Sequence, residues 1–439
     1  MKKFFDTIRN IFSIEDLRVR ILNTVGFLII FRLGSFVVLP GIDPSKLDSQ
    51  AQGIFGLIDN FLGGAFSNAS IFGLGIMPYI SASIVVQLLT VAVPYFQKLQ
   101  KEGDSGRKKI NQITRVLTIG ITIAQGSAYL AGAIPAEAIV LENTALFTSA
   151  AIIILTSGTI FCMWLGERIT DKGIGNGISM LIMIGIISRF PGSILEEAVT
   201  RGMGQALIFI IEIVALFFVV MGVVLLTQAV RRIPVQYAKQ VVGNKVYGGQ
   251  RQYIPLKVNS AGVMPIIFAQ SLMFLPALIA GYFADSSDVA QYVGATFSNY
   301  MSWQYNLTFA IMIILFTFFY TAISVNPNQI ADDMKRNGGF IPGVKPGKQT
   351  SEFIDNVLSR VTLPGSLFLA LVAIMPAFAQ IAGVSTSFAQ FFGGTSLLIM
   401  VGVILDTLQQ IESYLLMRHY EGMMKSGRIK GRSQNVAVA

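Results

Sequence analysis

Residues 75–80 read Gly-Ile-Met-Pro-Tyr-Ile, and residues 262–267 read Gly-Val-Met-Pro-Ile-Ile. Each stretch opens a long apolar run with a proline close to its start, where a helix tolerates that residue. One copy lies in each half of the 439-residue chain. Such a repeat is typical of membrane proteins built from two related bundles with the working site between them. Chance, or the shared composition of lipid-facing helices, would also explain so short a match.

The composition indicates a membrane protein. Hydrophobic residues make up 53% of the chain and charged residues 13%, which is about half the charged share of an average soluble domain. Apolar runs of about 20 residues, long enough to cross a hydrocarbon core about 30 Å thick, recur along the sequence. We predict ten membrane spans, at residues 21–40, 72–93, 113–134, 145–166, 176–193, 206–229, 261–283, 306–324, 363–383 and 393–416.

The distribution of basic residues predicts the orientation of these spans. Of the 33 Lys and Arg residues, 29 lie in the N-terminal segment, in alternate connections and in the C-terminal tail. By the positive-inside rule, both termini and these connections face the cytoplasm. The net charge of +9 therefore reflects topology, although the large basic loops could also contact RNA or acidic protein surfaces.

The residues needed for enzyme chemistry are scarce. Cys162 and His419 are the only cysteine and histidine, so the sequence predicts no His- or Cys-based metal site. No nucleophile–base motif or phosphate-binding loop appears, and we predict neither an enzyme, a catalytic residue nor a cofactor. Among the ionisable residues within spans, Arg32, Glu212 and Asp406 lie at different depths. We expect Arg32 to pair structurally with an acid or with backbone carbonyls.

From the residues alone, two classes of membrane protein can be considered at this point. An ion-coupled small-solute transporter would also have two repeated halves, and it would need clustered carboxylates near the middle of the membrane. The scattered acids do not favour that class. A membrane scaffold would need neither a blocked pore nor an apolar ring.

Residues 54–71 are apolar, nearly uncharged and predicted to lie on the outer side. They are too short to span a membrane, and Gly63 and Gly64 interrupt them. One interpretation is an interfacial helix on the outer rim. The other is a short re-entrant helix, which is allowed only where protein surrounds it or where it lines a cavity.

The second span carries Ile76, Ile80 and Ile84 on one helix face. Taken alone, such a stripe is more typical of a surface that faces lipid. Further along, Gly173-Ile-Gly-Asn-Gly177 predicts a turn in which Asn176 caps the next helix.

Two cytoplasmic connections are long enough to be docking surfaces. In residues 230–260, Ile233, Val235 and Tyr237 alternate with polar residues ahead of a glycine-rich turn, which predicts a protruding β-hairpin. Residues 325–362 contain several turn signals, followed by a helix from about residue 350.

Residues 61–90 carry a long motif that begins Phe-Leu-Gly-Gly-Ala-Phe and ends Val-Val-Gln-Leu-Leu-Thr. Further motifs follow in order at residues 101–107, 164–179, 231–239, 255–265, 340–350 and 392–399. Together they closely resemble the SecY family of bacterial protein-translocation channels over essentially the whole chain. The resemblance implies an all-α polytopic membrane protein with ten transmembrane helices in two pseudo-symmetric five-helix halves around a central hourglass pore. Those halves would be residues 1–200 and 201–439.

The resemblance also implies roles for individual residues. A re-entrant plug helix would occupy about residues 54–70, hereafter the outer segment, and its plug residues would be Phe55, Leu57, Ile58, Phe61, Leu62, Gly63, Gly64 and Phe66. The pore ring would be Ile76, Ile80, Ile182, Ile186, Ile267 and Ile399. A lateral gate between the second and seventh spans would carry Gln87, Thr90, Asn259 and Gln270, polar groups expected to face each other.

The function implied is that of the central pore-forming subunit of the general secretory translocon in the bacterial plasma membrane. Such a subunit conducts unfolded polypeptides and releases signal sequences and membrane helices sideways into the lipid bilayer. The implied partners are SecE- and SecG-like membrane subunits, a SecA-type motor ATPase, the ribosome and polypeptides that carry signal sequences. The motor or ribosome would dock on Arg231, Arg232, Lys239, Lys245, Arg251, Lys335, Arg336, Lys345 and Lys348. Lys345 stands where the family usually has arginine, and the two residues are not interchangeable.

Overall fold

The computed structural model describes residues 12–47, 59, 62–141, 143–237, 240–242, 245–247, 251–283, 288–299 and 301–425. Most of these residues are helical. The helices that precede the first strand are α1 (Glu15–Gly34), α2 (Met77–Ala92), α3 (Pro94–Lys101), α4 (Asp104–Gly132), α5 (Thr144–Lys172), α6 (Gly177–Arg201) and α7 (Ala206–Gln228). The later helices are α8 (Met264–Phe283), α9 (Asp288–Ser298), α10 (Trp303–Ser324), α11 (Pro327–Arg336), α12 (Lys348–Ile381), α13 (Thr386–Ala389) and α14 (Gly394–Lys425).

Each predicted span overlaps one of these helices. Among the described residues, six helices are long and apolar enough to cross a membrane. A seventh crossing is added if α2 and α3 count as one span, although the two helices meet at an angle of 97°. Pro94 begins α3 and has no amide hydrogen to continue the ladder of α2. The structure is therefore that of a multi-pass helical membrane protein, and the count of ten stays a prediction.

The first predicted span is misplaced along the sequence. Residues 21–40 were expected to be helical, but α1 ends at Gly34. The chain then leaves the helix because its backbone pairs with the end of the outer segment. The Leu39 amide donates to the Ala69 carbonyl at 2.8 Å, and the Ile71 amide donates to the Val37 carbonyl at 2.9 Å. Hydropathy does not register this long-range pairing.

The repeated sequence forms the same local structure twice. Gly75 and Gly262 both have left-handed backbones, with φ of 50° and 64°, a region that glycine enters without steric cost. In each copy a helix follows at once, α2 or α8, with proline as its second residue. Helices α2 and α8 also pack against each other, so the two copies lie at one helix–helix contact.

The predicted hairpin is confirmed. Strands β1 (Val230–Tyr237) and β4 (Arg251–Lys257) pair antiparallel, with Ile233 opposite Ile254. Between them, β2 (Gln240–Val242) pairs with β3 (Lys245–Tyr247). The short strand β5 (Gly339–Phe340), from the next large connection, pairs with β1.

An apolar cluster fastens this sheet to α11 and α12. It comprises Ile233, Val235, Leu256, Met334, Ile341 and Ile354. The two large connections therefore form one folded unit. The predicted helix in the second connection is also confirmed, since α12 begins at Lys348.

The turn ahead of α6 has the predicted cap. The Asn176 side-chain oxygen accepts hydrogen bonds from the Ile178 and Ser179 amides, at 3.1 and 3.3 Å. The capped helix carries two of the candidate ring residues.

Candidate functional site

The six candidate ring isoleucines meet in one buried cluster. Ile76 and Ile80 come from the start of α2, and Ile182 and Ile186 come from α6. Ile267 and Ile399 come from α8 and α14. Their exposed fractions lie between 0% and 8%. Side chains from both ends of the chain therefore converge at one place.

Ile84 belongs to the same cluster and is 3% exposed. The stripe of Ile76, Ile80 and Ile84 therefore faces the protein interior. The interpretation that this face meets lipid, which spacing alone favoured, is therefore wrong. Spacing could not reveal this, because the helices that cover the face are far away in the sequence.

Five of the six isoleucines line a cavity of about 370 Å³; Ile186 is not among its lining residues. Leu62, Met77, Gln270 and Ser271 complete the lining. A space lined almost wholly by apolar side chains holds water poorly, and apolar constrictions block ions by dewetting. The β-branched isoleucine side chains are also stiff, which suits a fixed constriction.

The described part of the outer segment is buried in protein. Leu62, Ala65, Phe66 and Ala69 are each at most 5% exposed. The Tyr129 hydroxyl, from α4, donates to the Phe66 carbonyl at 2.7 Å. These contacts do not fit an interfacial helix on the outer rim.

Asp59 and Leu62 are helical, while the residues from Gly63 to Ala69 form turns. Leu62 reaches the cavity of the isoleucine cluster. Four candidate plug residues, Phe55, Leu57, Ile58 and Phe61, lie outside the described residues.

Two arginines hold the described part of this segment. Arg32, in the last turn of α1, donates to the Gly63 carbonyl at 2.6 Å. This contact confirms the expectation that Arg32 pairs structurally. Arg189, from α6, forms an ion pair with Asp59, whose other carboxylate oxygen accepts from the Ser67 amide at 2.8 Å.

Sequence reasoning found neither Asp59 nor Arg189. The two residues are 130 positions apart, and no motif links them. The only signal that bore on the contact was the Gly63-Gly64 pair, which was interpreted as a break in a helix.

The gate residues are brought together only in part. Gln87 donates to the Ser83 hydroxyl at 3.3 Å, and the Thr90 hydroxyl donates to the Gln87 carbonyl at 2.6 Å. Both bonds stay within α2. Gln270 is buried at the cavity, and the Asn259 side-chain oxygen is buried without a hydrogen-bond partner among the described residues.

The expected polar pairing between these helices is therefore absent from the described residues. A Thr hydroxyl in a helix often bonds to a carbonyl of its own preceding turn, as Thr90 does here.

Several candidate docking residues share the folded unit of the two large connections and are exposed. They are Arg231 and Arg232 on β1, Lys335 and Arg336 at the end of α11, and Lys345 and Lys348 beside the start of α12. Lys345 lies in an ordered turn, because its carbonyl accepts from the Thr350 hydroxyl at 2.9 Å. Lys239 and the side chains of Lys245 and Arg251 lie outside the described residues.

The other acids within spans do not form a relay with Arg32. The Arg201 guanidinium donates to the Glu212 carboxylate at 2.5 Å and to the Gly383 carbonyl at 2.6 Å. Glu197 joins the same group and accepts from the Ser385 amide at 2.9 Å. This arrangement fastens α6 and α7 to the turn after α12, which is a structural role. Asp406 is exposed on α14.

Fold and site together define a multi-pass helical membrane protein with an apolar constriction, against which a buried outer segment packs. The family model for SecY matches residues 70–408. The chain belongs to the SecY family.

Individual relatives support membership of this family. The protein translocase subunit SecY of Streptomyces coelicolor is 43% identical over 430 residues, which cover 94% of this chain and 98% of that protein. The protein translocase subunit SecY of Mycobacterium bovis is 42% identical over 450 residues, covering 97% of this chain and all of the relative.

Solved structures share the fold. One, described as the structure of a protein conducting channel, has a TM-score of 0.64 at 17% identity and covers 90% of this chain and 92% of its own. Another, described as Sec61 in the canine ribosome-channel complex from the endoplasmic reticulum, has a TM-score of 0.60 at 16% identity. It also covers 90% of this chain and 92% of its own.

Proposed function

We propose that this chain is the central pore-forming subunit of the general secretory translocon, which conducts unfolded polypeptides across the membrane. The observation that carries the proposal is the buried isoleucine cluster around a cavity of about 370 Å³, in a chain 43% identical to a protein translocase subunit. The chain is a channel subunit and not an enzyme.

Transport by such a channel follows from the chemistry of the ring. Apolar side chains make no specific hydrogen bonds, so a passing polypeptide of any sequence can slide between them. When no polypeptide is passing, the same side chains close on each other and exclude water. Ile76, Ile80, Ile182, Ile186, Ile267 and Ile399 form the ring in this proposal.

We place the plug in the outer segment, residues 54–70, which would leave its site when a polypeptide enters. Leu62 at the cavity supports this role. The lateral gate lies between α2 and α8, whose packing next to the cavity supports it. Gln87, Thr90, Asn259 and Gln270 then line the path of an exiting signal sequence rather than bond to one another across the gate.

The proposed architecture has ten transmembrane helices in two related halves, residues 1–200 and 201–439. Both termini face the cytoplasm, and the chain resides in the bacterial plasma membrane. The 29 basic residues assigned to the cytoplasmic side support this orientation. The repeat at α2 and α8 supports two related halves.

The channel has no means of hydrolysing nucleotide in its sequence, so a partner must supply energy. A SecA-type motor ATPase or a translating ribosome would dock on the basic face of the cytoplasmic unit, and a structural neighbour is described in a ribosome–channel complex. SecE- and SecG-like membrane subunits complete the proposed assembly, by family resemblance.

Reconstitution tests this function. Vesicles that contain the full-length chain with its membrane partners, a motor ATPase and ATP should protect a signal-bearing preprotein from external protease. Vesicles that lack the chain, and a preprotein without its signal sequence, are the controls. Equal protection with and without the chain would refute the proposal.

A further inference from the structure

The outer segment is held at its turn by two positive charges from different helices. Arg189 of α6 pairs with the Asp59 carboxylate and donates to the Ser67 hydroxyl at 3.3 Å. Arg32 of α1 donates to the Gly63 carbonyl. The Asp59 side chain is only 1% exposed, so its charge is nearly removed from water.

The Gly63-Gly64 pair makes these contacts possible. Both residues have left-handed backbones, with φ of 63° and 93°. A Cβ atom on Gly63 would lie 2.8 Å from the Arg32 guanidinium and 2.8 Å from the Gly185 backbone, and one on Gly64 would lie 3.2 Å from the Arg189 guanidinium. The two glycines therefore let both arginines approach the backbone of the turn.

Apart from hydrogen bonds to its backbone from Tyr129 and Leu39, the remaining contacts of this part of the segment are apolar, from residues such as Leu62, Ala65 and Phe66. Apolar contacts have no preferred direction and can be exchanged for contacts with another apolar chain. An apolar signal sequence that enters the cavity could replace them. It could not replace an ion pair, because it brings no charge to compensate Asp59 or Arg189.

We propose that Asp59 and Arg189 form a charged latch that sets how readily the outer segment leaves the constriction, and therefore how strong a signal sequence must be to open the channel. This inference rests on the proposed function. The two residues are positioning residues, since they hold the segment and need not touch the transported chain.

The variant Asp59→Asn tests the charge of Asp59 separately from its role in folding the turn. An asparagine side chain keeps an oxygen that can accept from the Ser67 amide, as the aspartate does, but it cannot neutralise Arg189. Arg189→Gln removes the other partner, and it leaves Asp59 within electrostatic range of Arg32. The first variant should therefore have the larger effect.

The test uses the full-length chain with its membrane partners in vesicles, with motor ATPase and two preproteins. One preprotein has an intact signal sequence, and the other has a charged residue in the apolar core of its signal. We expect Asp59→Asn to raise transport of the defective preprotein about tenfold, since the variant loses a charge-assisted hydrogen bond whose carboxylate is buried although Arg189 is 31% exposed.

The double variant Asp59→Asn/Arg189→Gln tests the pairing itself. If the two residues act through each other, the double variant transports the defective preprotein no faster than the more active single variant. Glu167→Gln is the matched control, because it breaks the exposed Arg115–Glu167 pair, whose oxygen and nitrogen atoms lie 2.7 Å apart between α4 and α5. It should leave discrimination unchanged.

Unchanged discrimination in both single variants, or strictly additive effects in the double variant, would overturn the latch. These outcomes differ from failure of the proposed function, in which the wild-type chain would not transport even the intact preprotein. Thermal unfolding of each variant in detergent separates a released latch from a misfolded chain.

Discussion

At the scale of single residues, the account depends on six isoleucine side chains. Their apolar surfaces meet in one cluster, and five of them border the same cavity. A residue that keeps this surface should keep the seal, while a polar residue should admit water. The seal is therefore testable one side chain at a time.

We predict that replacing both Ile80 and Ile182 with Ser raises ion leak across vesicles several-fold, because two hydroxyl groups at the cavity would favour water. Ile80→Val should leave the leak unchanged, at a stability cost of about 0.5–1.5 kcal/mol. Ile153→Ser is the matched control, since that side chain is 65% exposed on α5. Chloride efflux from vesicles measures the leak. An unchanged efflux in the Ile80/Ile182 variant would remove these residues from the ring.

At this scale, sequence patterns predicted which residues share a helix face better than they predicted what that face contacts. Spacing placed Ile76, Ile80 and Ile84 on one face, but it could not tell a lipid-facing surface from a pore-facing one, because both are apolar. Arg32 was expected to pair because an unpaired intramembrane charge is costly. Its partner, the Gly63 carbonyl, depends on the fold of a distant turn.

At the scale of elements, the outer segment is the least helical part of the candidate site among the described residues. Its residues 63–69 form turns, and its described apolar side chains pack against α4 and the chain after α1. Its described residues 62–69 are too few to cross a membrane. Its removal should therefore open the constriction without dismantling the helices.

We predict that deletion of residues 57–68 gives a folded channel that leaks ions and accepts preproteins with defective signal sequences. Circular dichroism should show near-wild-type helix content, and chloride efflux should rise. The full-length chain with Asp59→Asn is the comparison, because it should loosen the outer segment without removing it. A tightly sealed deletion variant would show that the outer segment does not block the pore.

Local signals were sufficient for several elements. Asn176 caps α6 as its position before an apolar run predicted, and the alternation of Ile233, Val235 and Tyr237 gave the hairpin. By contrast, the end of α1 was placed too late, because the pairing of residues 37–39 with residues 69–71 is invisible to a hydropathy window. Which polar residues face each other at the gate also cannot be judged from one helix.

At the scale of the whole molecule, the two large connections, which are predicted to face the cytoplasm, form one unit through β1, β5, α11 and α12. Its exposed basic residues lie on a folded unit with its own apolar cluster. A motor or ribosome that docks there can transmit force to α12, which continues into the predicted ninth span. Helix α12 packs against α14, which contributes Ile399 to the cavity.

We predict that Lys345→Arg keeps or improves ATP-driven preprotein transport, whereas Lys345→Glu weakens it without affecting membrane insertion of the channel. A point charge tolerates arginine, and reversal replaces an attraction of about 1–3 kcal/mol by repulsion. Lys46→Glu, on the predicted outer side, controls for a general effect of charge. Normal transport by Lys345→Glu would show that the residue is merely solvated.

The central claim is that polypeptides pass through the isoleucine constriction, and photocrosslinking of a stalled secretory chain tests it most directly. A photoreactive amino acid is placed at position 80 or 267, or at the exposed position 153 on α5, in the full-length channel. The account predicts crosslinks to the translocating chain from positions 80 and 267 and none from position 153. Crosslinks from position 153 alone, or from none of the three while transport proceeds, would contradict it.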